Sequence, residues 1–269
     1  ECGKGNPVFP SSGKKVEYAT DFSTGGEVPL LVQRNYSSLP SNRGLLGNNW
    51  RLTFDRKIFI LNANSITLDQ EDGSQFYFSP DLNGIFRPTA TEWDVKITHL
   101  TTPVDAYEFT GEDDRVERFE YIAAAWRLKS IRQKSGSTQT LAYDAAGLLT
   151  TVTDTFGRSL TFTFEPALPA PATQDDRIVT RITAPGGFQI DYAYVRPISS
   201  TGATLYAYPI LSQVTVSNPT SNPGVSEVTK YHYEVAGEPF LLTGITDPRN
   251  VRYATFTYDG FRRVTNSQH

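Results

Sequence analysis

The 269 residues carry 25 Lys and Arg against 29 Asp and Glu, a formal net charge of −4, with 38% hydrophobic and 12% aromatic residues. This balance excludes the clustered basic footprint that nucleic-acid binding demands, and no run approaches the ~18 apolar residues of a membrane helix. The apolar share suffices for a packed interior, and 20 Gly with 17 Pro punctuate the chain without reaching a disordered composition.

The sequence has no Met, even at residue 1, so it is expected to be a piece of a longer polypeptide. Cys2 stands alone and has no internal disulfide partner; a solvated bystander is expected.

In chain order, Lys14 to Phe22 and Leu30 to Tyr36 are extended runs bounded by turn formers, which predicts an opening hairpin. Trp50 to Leu61 alternates and then becomes apolar, as a strand entering a buried layer would. Ser65 to Asp69 and Ser74 to Ser79 flank Glu71-Asp72-Gly73 and form the clearest hairpin. Short β-rich runs follow at Trp93 to Leu100, Ala106 to Thr110, Val116 to Tyr121, Arg127 to Gln133 and Thr138 to Tyr143, while Ile122 to Trp126 is too short for a helix and is expected to be a loop or edge.

From Tyr143 the pattern repeats. Leu149-x-x-Val152-Thr153-Asp154-x-x-Gly157, Leu211-x-x-Val214-Thr215 and Leu242-x-x-Ile245-Thr246-Asp247 align. Each core is followed by a return strand with aromatic residues in alternation, such as Phe162 and Phe164, Tyr192 and Tyr194, Tyr231 and Tyr233, Phe256 and Tyr258, so one face is aromatic. The Asp of each unit is expected to accept from backbone N-H groups and the Gly to supply positive φ. Pro-rich Glu165 to Asp176 and Ser217 to Gly224 are expected to be projecting loops. Fixed units with elastic loops predict an all-β fold: tandem β-hairpins forming a curved, spiralling antiparallel sheet.

Two stretches resemble a known family. Gly5-Asn6-Pro7-Val8, Gly13-Lys14, Asp21-Phe22, Pro29-Leu30, Arg34 with Tyr36-Ser37-Ser38, and Gly47 before Trp50 resemble the domain that opens the core of bacterial Rhs proteins, with Ser12-Gly13-Lys14 lacking the usual Asn and Asn49 replacing a frequent Gly. Tyr143-Asp144-x-x-Gly147, with Val152, Asp154 and Gly157, resembles a YD repeat, and Tyr258-Asp259-Gly260 begins another. The resemblance implies three regions: residues 1–61 as the opening β domain, 62–142 as a hairpin wall segment, and 143–269 as YD-type repeats. It also implies part of a shell that encloses or presents a C-terminal toxin. The expected partners are the rest of the same polypeptide, secretion machinery or a cell-surface glycan, with secreted or cell-surface localisation and contact-dependent delivery.

Residues that carry chemistry are sparse. His99, His232 and His269 lack metal-type spacing, and there is no nucleophile elbow or phosphate loop. His232, between two tyrosines, is expected to point away from the aromatic face. The acid pairs Glu71-Asp72, Asp113-Asp114 and Asp175-Asp176 suit solvated turns. No catalytic residue, metal or cofactor is therefore expected. A sugar-stacking adhesin module is the alternative, resting on exposure of the aromatic face, and a hydrolase with two facing carboxylates is third.

Overall fold

A computed structural model describes residues 8–9, 12–38, 43–90, 94–166, 177–196 and 209–268. Gly5, Asn6, Pro7, Cys2, Trp93, Asp175, Asp176 and His269 lie outside them. The described residues hold antiparallel strands, one 3-10 turn at Pro185–Gly187 and no α-helix, so the all-β fold of tandem hairpins is the one observed.

Six strands open the chain: β1 (Val8–Phe9), β2 (Lys14–Ser23), β3 (Leu31–Ser37), β4 (Arg43–Gly44), β5 (Gly47–Asn48) and β6 (Trp50–Leu52). Next come β7 (Lys57–Asn62), β8 (Ser65–Asp69), β9 (Gln75–Pro80), β10 (Phe86–Pro88), β11 (Lys96–Leu100), β12 (Ala106–Thr110), β13 (Val116–Ile122), β14 (Ala125–Arg132), β15 (Thr138–Tyr143), β16 (Leu149–Asp154) and β17 (Ser159–Phe164). The last are β18 (Val179–Ala184), β19 (Phe188–Val195), β20 (Ile210–Ser217), β21 (Ser226–His232), β22 (Gly244–Thr246), β23 (Arg252–Tyr258) and β24 (Val264–Gln268). The chain packs as two compact units, one of residues 1–22, 32–52 and 162–269, the other of residues 23–31 and 53–161.

In the second unit, neighbours from β7 to β14 pair in succession, and Arg127 of β14 returns to pair with Lys57 of β7, closing the turn. Strand β14 divides its outer edge. Arg127 meets β7, whereas Ser130, Ile131 and Arg132 meet β15. Between these halves the register with β13 jumps, Arg118 facing Ser130 and Phe119 facing Leu128, so Lys129 is an extra residue. Such a bulge bends the strand and raises its twist, which lets one strand end one turn of sheet and begin the next. Inside lie Ile66, Leu68, Phe78, Ile97, Phe119 and Leu128, each fully buried.

In the first unit, β18 to β24 form a meander of antiparallel pairs, and the opening strands form a separate sheet in the order β1-β2-β3-β6. Its core gathers Val32, Tyr36, Trp50, Ile182, Ile190, Val214, Ile245 and Phe256. Burying a large apolar side chain stabilises by roughly 1.5–3 kcal/mol.

Two expectations are corrected and one is narrowed. Trp50 to Leu61 is two strands, because the chain turns at Thr53 to Arg56; β6 joins the opening sheet, and β7 leaves Phe59 and Leu61 45% and 60% exposed rather than entering a buried layer. The loop expected over Ile122 to Trp126 is present but shorter: Ala123 and Ala124 alone, at φ 48° and 63°, turn β13 into β14, and Ile122, Ala125 and Trp126 belong to the strands. Two consecutive positive-φ residues make the mirror-image turn that matches strand twist, with alanine where Asn-Gly is the usual sequence. Finally, the aromatic face of the repeat is not exposed: Phe162, Tyr192, Tyr231 and Phe256 are all buried.

Candidate functional site

The Asp residues of the repeats build one local device. Asp144 Oδ1 accepts the amides of Ala146 and Leu148, Asp154 those of Phe156 and Arg158, Asp247 those of Arg249 and Val251, and Asp259 those of Phe261 and Arg263. In each loop the residue three after the Asp donates its amide back to the Asp carbonyl and has positive φ: Gly147, Gly157, Asn250 and Arg262. Gly260 is not that residue in the last loop; Arg262, at φ 63°, is. The Asp81 loop, with Gly84, is built identically and carries no tyrosine before it.

The tyrosines are latches. Tyr143 donates its hydroxyl to the Leu128 carbonyl (2.6 Å), Tyr194 to Val179 (2.5 Å), Tyr233 to Leu211 (2.7 Å) and Tyr258 to Leu242 (2.7 Å). Each tyrosine lies at or within one residue of the end of a hairpin's second strand and bonds a carbonyl of the first strand or of the residues leading into it, beyond the last backbone pair. Burial pushes the phenols of Tyr143 and Tyr258 far above their ordinary range, so they stay neutral donors.

The Leu-x-x-Val spacing also has a cause. Leu149 and Val152, like Leu211 and Val214, are both buried although three residues apart, which strict alternation forbids. A bulge resolves it: Tyr143 faces Leu149 while Ala142 faces Thr151, and Tyr194 faces Leu211 while Ala193 faces Gln213. The extra residues Thr150 and Ser212 return their hydroxyls to the Ala142 and Ala193 carbonyls.

The structure brings Asp21, Arg34, Tyr36 and Trp50 together, against the aromatic face of β19 to β23. Arg34 Nε and Nη2 donate to Asp21 Oδ2 (2.6 Å) and Oδ1 (2.7 Å), a side-on pair with side chains only 3% and 4% exposed. Its Nη1 donates to the Tyr231 hydroxyl (2.5 Å), and the Tyr192 hydroxyl donates to Asp21 Oδ2 (3.1 Å). The guanidinium lies 5.4 Å from the Trp50 ring and 5.3 Å from that of Tyr231, and Trp50 and Tyr231 stand 4.7 Å apart, tilted. Trp50 Nε1 donates to the Tyr233 hydroxyl (2.8 Å), which in turn donates a hydrogen bond to the Leu211 carbonyl. Tyr36 donates to the Phe240 carbonyl and accepts from the Leu242 amide, both at 2.9 Å. Burial pushes Tyr231 up to about 12, and the Arg34 charge beside it acts the other way.

Other contacts seat the same sheet. Fully buried Lys15 donates to the Val16 carbonyl and Glu17 (2.7 Å), with its ammonium 4.6 Å from the Phe256 ring. Asn48 donates to the Pro209 carbonyl, and Leu45 accepts from the Val179 amide. Gly47, at φ 87°, lies so close that a Cβ there would strike the Pro209 carbonyl, so only glycine fits. Reading the sequence identified the motif residues of the opening sheet but missed Lys15, Tyr192, Tyr231 and Tyr233 as their partners. The two-residue alternation placed those rings on one face; nothing local said that charge would meet them there.

The residues considered for chemistry are committed elsewhere. Asp72 accepts from Ser74, Asp113 from the Arg115 amide, and Asp114 pairs with Lys134 at the surface (2.6 Å). Glu117, fully buried, faces Arg56 (3.0 Å) and Arg115 (2.9 Å), and Glu71 also pairs with Arg56 (3.0 Å). His232 bonds the Thr246 hydroxyl on the face opposite Tyr231. Among the described residues no group of three or more His, Cys, Asp or Glu could hold a metal, and no helix is long and apolar enough to cross a membrane.

Comparison with known proteins follows the same two stretches. Residues 5–78 match a domain of unknown function, DUF6531, and residues 127–163 match the RHS repeat. Two proteins of Dickeya dadantii (strain 3937), named probable deoxyribonuclease RhsB and RhsA, are 32% identical over 95 residues and 31% over 93. These alignments take in 34% and 33% of this chain but only 7% and 6% of those proteins. Similar solved structures include the N-terminal domain of the effector SpvB from Salmonella typhimurium strain LT2, at 9% identity, 80% of this chain, 94% of that one and a TM-score of 0.39. Another is the Photorhabdus luminescens Tc holotoxin pore, at 11% identity, 96% of this chain, 16% of that one and a TM-score of 0.45. With an opening-domain match, a repeat match and Rhs-named relatives in the order its motifs run, the chain is a bacterial Rhs/YD-repeat protein.

Proposed function

We propose that the chain is a non-enzymatic wall: a scaffold that encloses or presents a toxin carried further along the same polypeptide, in a secreted or surface-delivered system. The observation that carries this reading is how the opening motif is used. Asp21, Arg34, Tyr36 and Trp50 are spent on seating one sheet against another, with every polar atom named above engaged inside the protein. A catalytic constellation needs groups that converge on an open position where a reacting atom can sit; here the guanidinium, the carboxylate and the tyrosine hydroxyls are turned on one another. The three-part division at residues 61 and 142 fits the same reading, as opening domain, hairpin wall and YD repeats. The relatives named as probable deoxyribonucleases are far longer than the region they share with this chain, which supports an activity housed outside it.

Limited proteolysis of the full polypeptide tests the proposal. A C-terminal region that resists protease in the intact protein, and becomes sensitive when Arg34→Met and Trp50→Ala loosen the wall, supports enclosure. Equal sensitivity in both, or substrate turnover by residues 1–269 alone, defeats it.

A further inference from the structure

Beside the buried Arg34 pair, the first unit has a cavity of about 230 Å³ between β2 and the strands β20, β21 and β23. Its walls combine Glu17, Tyr18, Glu227, Thr229, Tyr231 and Tyr253, with Arg34 and Asp21 also on its lining. Tyr18 and Tyr253 are 39% and 38% exposed, so the cavity opens to solvent beside aromatic surface.

Charge decides what suits it. Asp21 takes two of the guanidinium donors, so that pair is neutral toward a ligand. Glu17 is shared with buried Lys15. Glu227 is exposed on β21, and among the described residues no Lys or Arg pairs with it. Three carboxylates against two cations leave one negative charge at the mouth, next to two tyrosine rings. Carboxylate plus aromatic face is the chemistry that holds a cation. Size narrows the choice, since the volume falls below the roughly 300–1,000 Å³ of a cofactor or drug-sized site and suits a single side chain. A guanidinium can stack on a ring and hydrogen-bond in its plane at once, which an ammonium cannot.

We propose that this cavity receives an arginine side chain of a polypeptide partner. The cavity shares Arg34, Asp21 and Tyr231 with the contacts that seat the opening sheet, and the proposal holds whether the sheet encloses or presents its cargo.

The test uses the chain as it is, isotope-labelled, titrated with N-acetyl-arginine methylamide and, separately, with the uncharged citrulline analogue and with glucose. Saturable amide shifts at Glu227, Thr229 and Tyr253 are expected with the arginine probe. Binding should weaken at least about tenfold, a factor worth ~1.4 kcal/mol, with citrulline, in Glu227→Gln and in Tyr253→Leu. Unchanged far-UV spectra of both variants keep loss of binding separate from loss of fold. Equal shifts from citrulline, shifts from glucose in place of arginine, or no saturable shift at these amides overturns the assignment.

Discussion

Replacing Arg34 by Met tests whether the opening sheet is held by a buried charge pair. The substitution keeps the bulk of the stem but leaves Asp21, 4% exposed, with only the Tyr192 hydroxyl among the partners described above. Stranding one member of a buried ion pair costs about 3–5 kcal/mol, whereas replacing both members by apolar residues is often close to neutral. Arg34→Met should therefore destabilise the first unit by about 3–5 kcal/mol, and the double variant Arg34→Met/Asp21→Leu by less than the single one. Arg181→Gln is an internal control: Arg181 and Asp191 approach just as closely (2.6 Å) but are 46% and 37% exposed, so its loss should cost under ~1 kcal/mol. Urea unfolding followed by Trp50 fluorescence, with Trp93 and Trp126 replaced by Phe, reads the first unit directly, which matters because two units need not unfold together. An Arg34→Met cost no larger than that of Arg181→Gln, or a double variant equal to the sum of its singles, refutes the reasoning.

Removing one latch hydroxyl in Tyr258→Phe strands the Leu242 carbonyl and should cost roughly 1–2 kcal/mol in chemical denaturation, while Tyr121→Phe, at a ring 60% exposed, should change nothing measurable. Ala123→Asn/Ala124→Gly relieves two left-handed alanines and should stabilise the second unit by about 1 kcal/mol, seen as a raised Tm; a lowered Tm contradicts the turn assignment. The side-chain bonds of Arg252 hold Glu234 down to about 2 against an ordinary 4.5. A depressed folded pKa gives stability that is present above the unfolded value and lost as pH falls toward the folded one. Stability should therefore decline between pH 4.5 and about 2, and Arg252→Gln should flatten that part of the curve; parallel curves count against it.

Much of this architecture is legible in the sequence because it is local. Asp154 and Gly157 fix a turn by themselves, and alternation in Leu160, Phe162 and Phe164 fixes a face. What escaped reading depends on partners far along the chain. Arg34 and Tyr231 are 197 residues apart, and no window around either reveals that a guanidinium will stack on that ring. The Ala123-Ala124 turn escaped for the opposite reason. Its residues carry no turn signal, and the pairing of β13 with β14 imposes the positive φ from outside. The Leu-x-x-Val spacing was visible as a repeat, but its meaning, a bulge at Thr150 and Ser212, emerges only from strand register.

Amide hydrogen exchange gives the most direct test of the claim that the opening motif is part of the wall. If the opening sheet is structural cement, the amides of β3 and β6 exchange with the same opening free energy as those of β20 to β23, and Arg34→Met lowers protection in both sets together. Opening strands that exchange independently, leaving β20 to β23 fully protected in the variant, would contradict it.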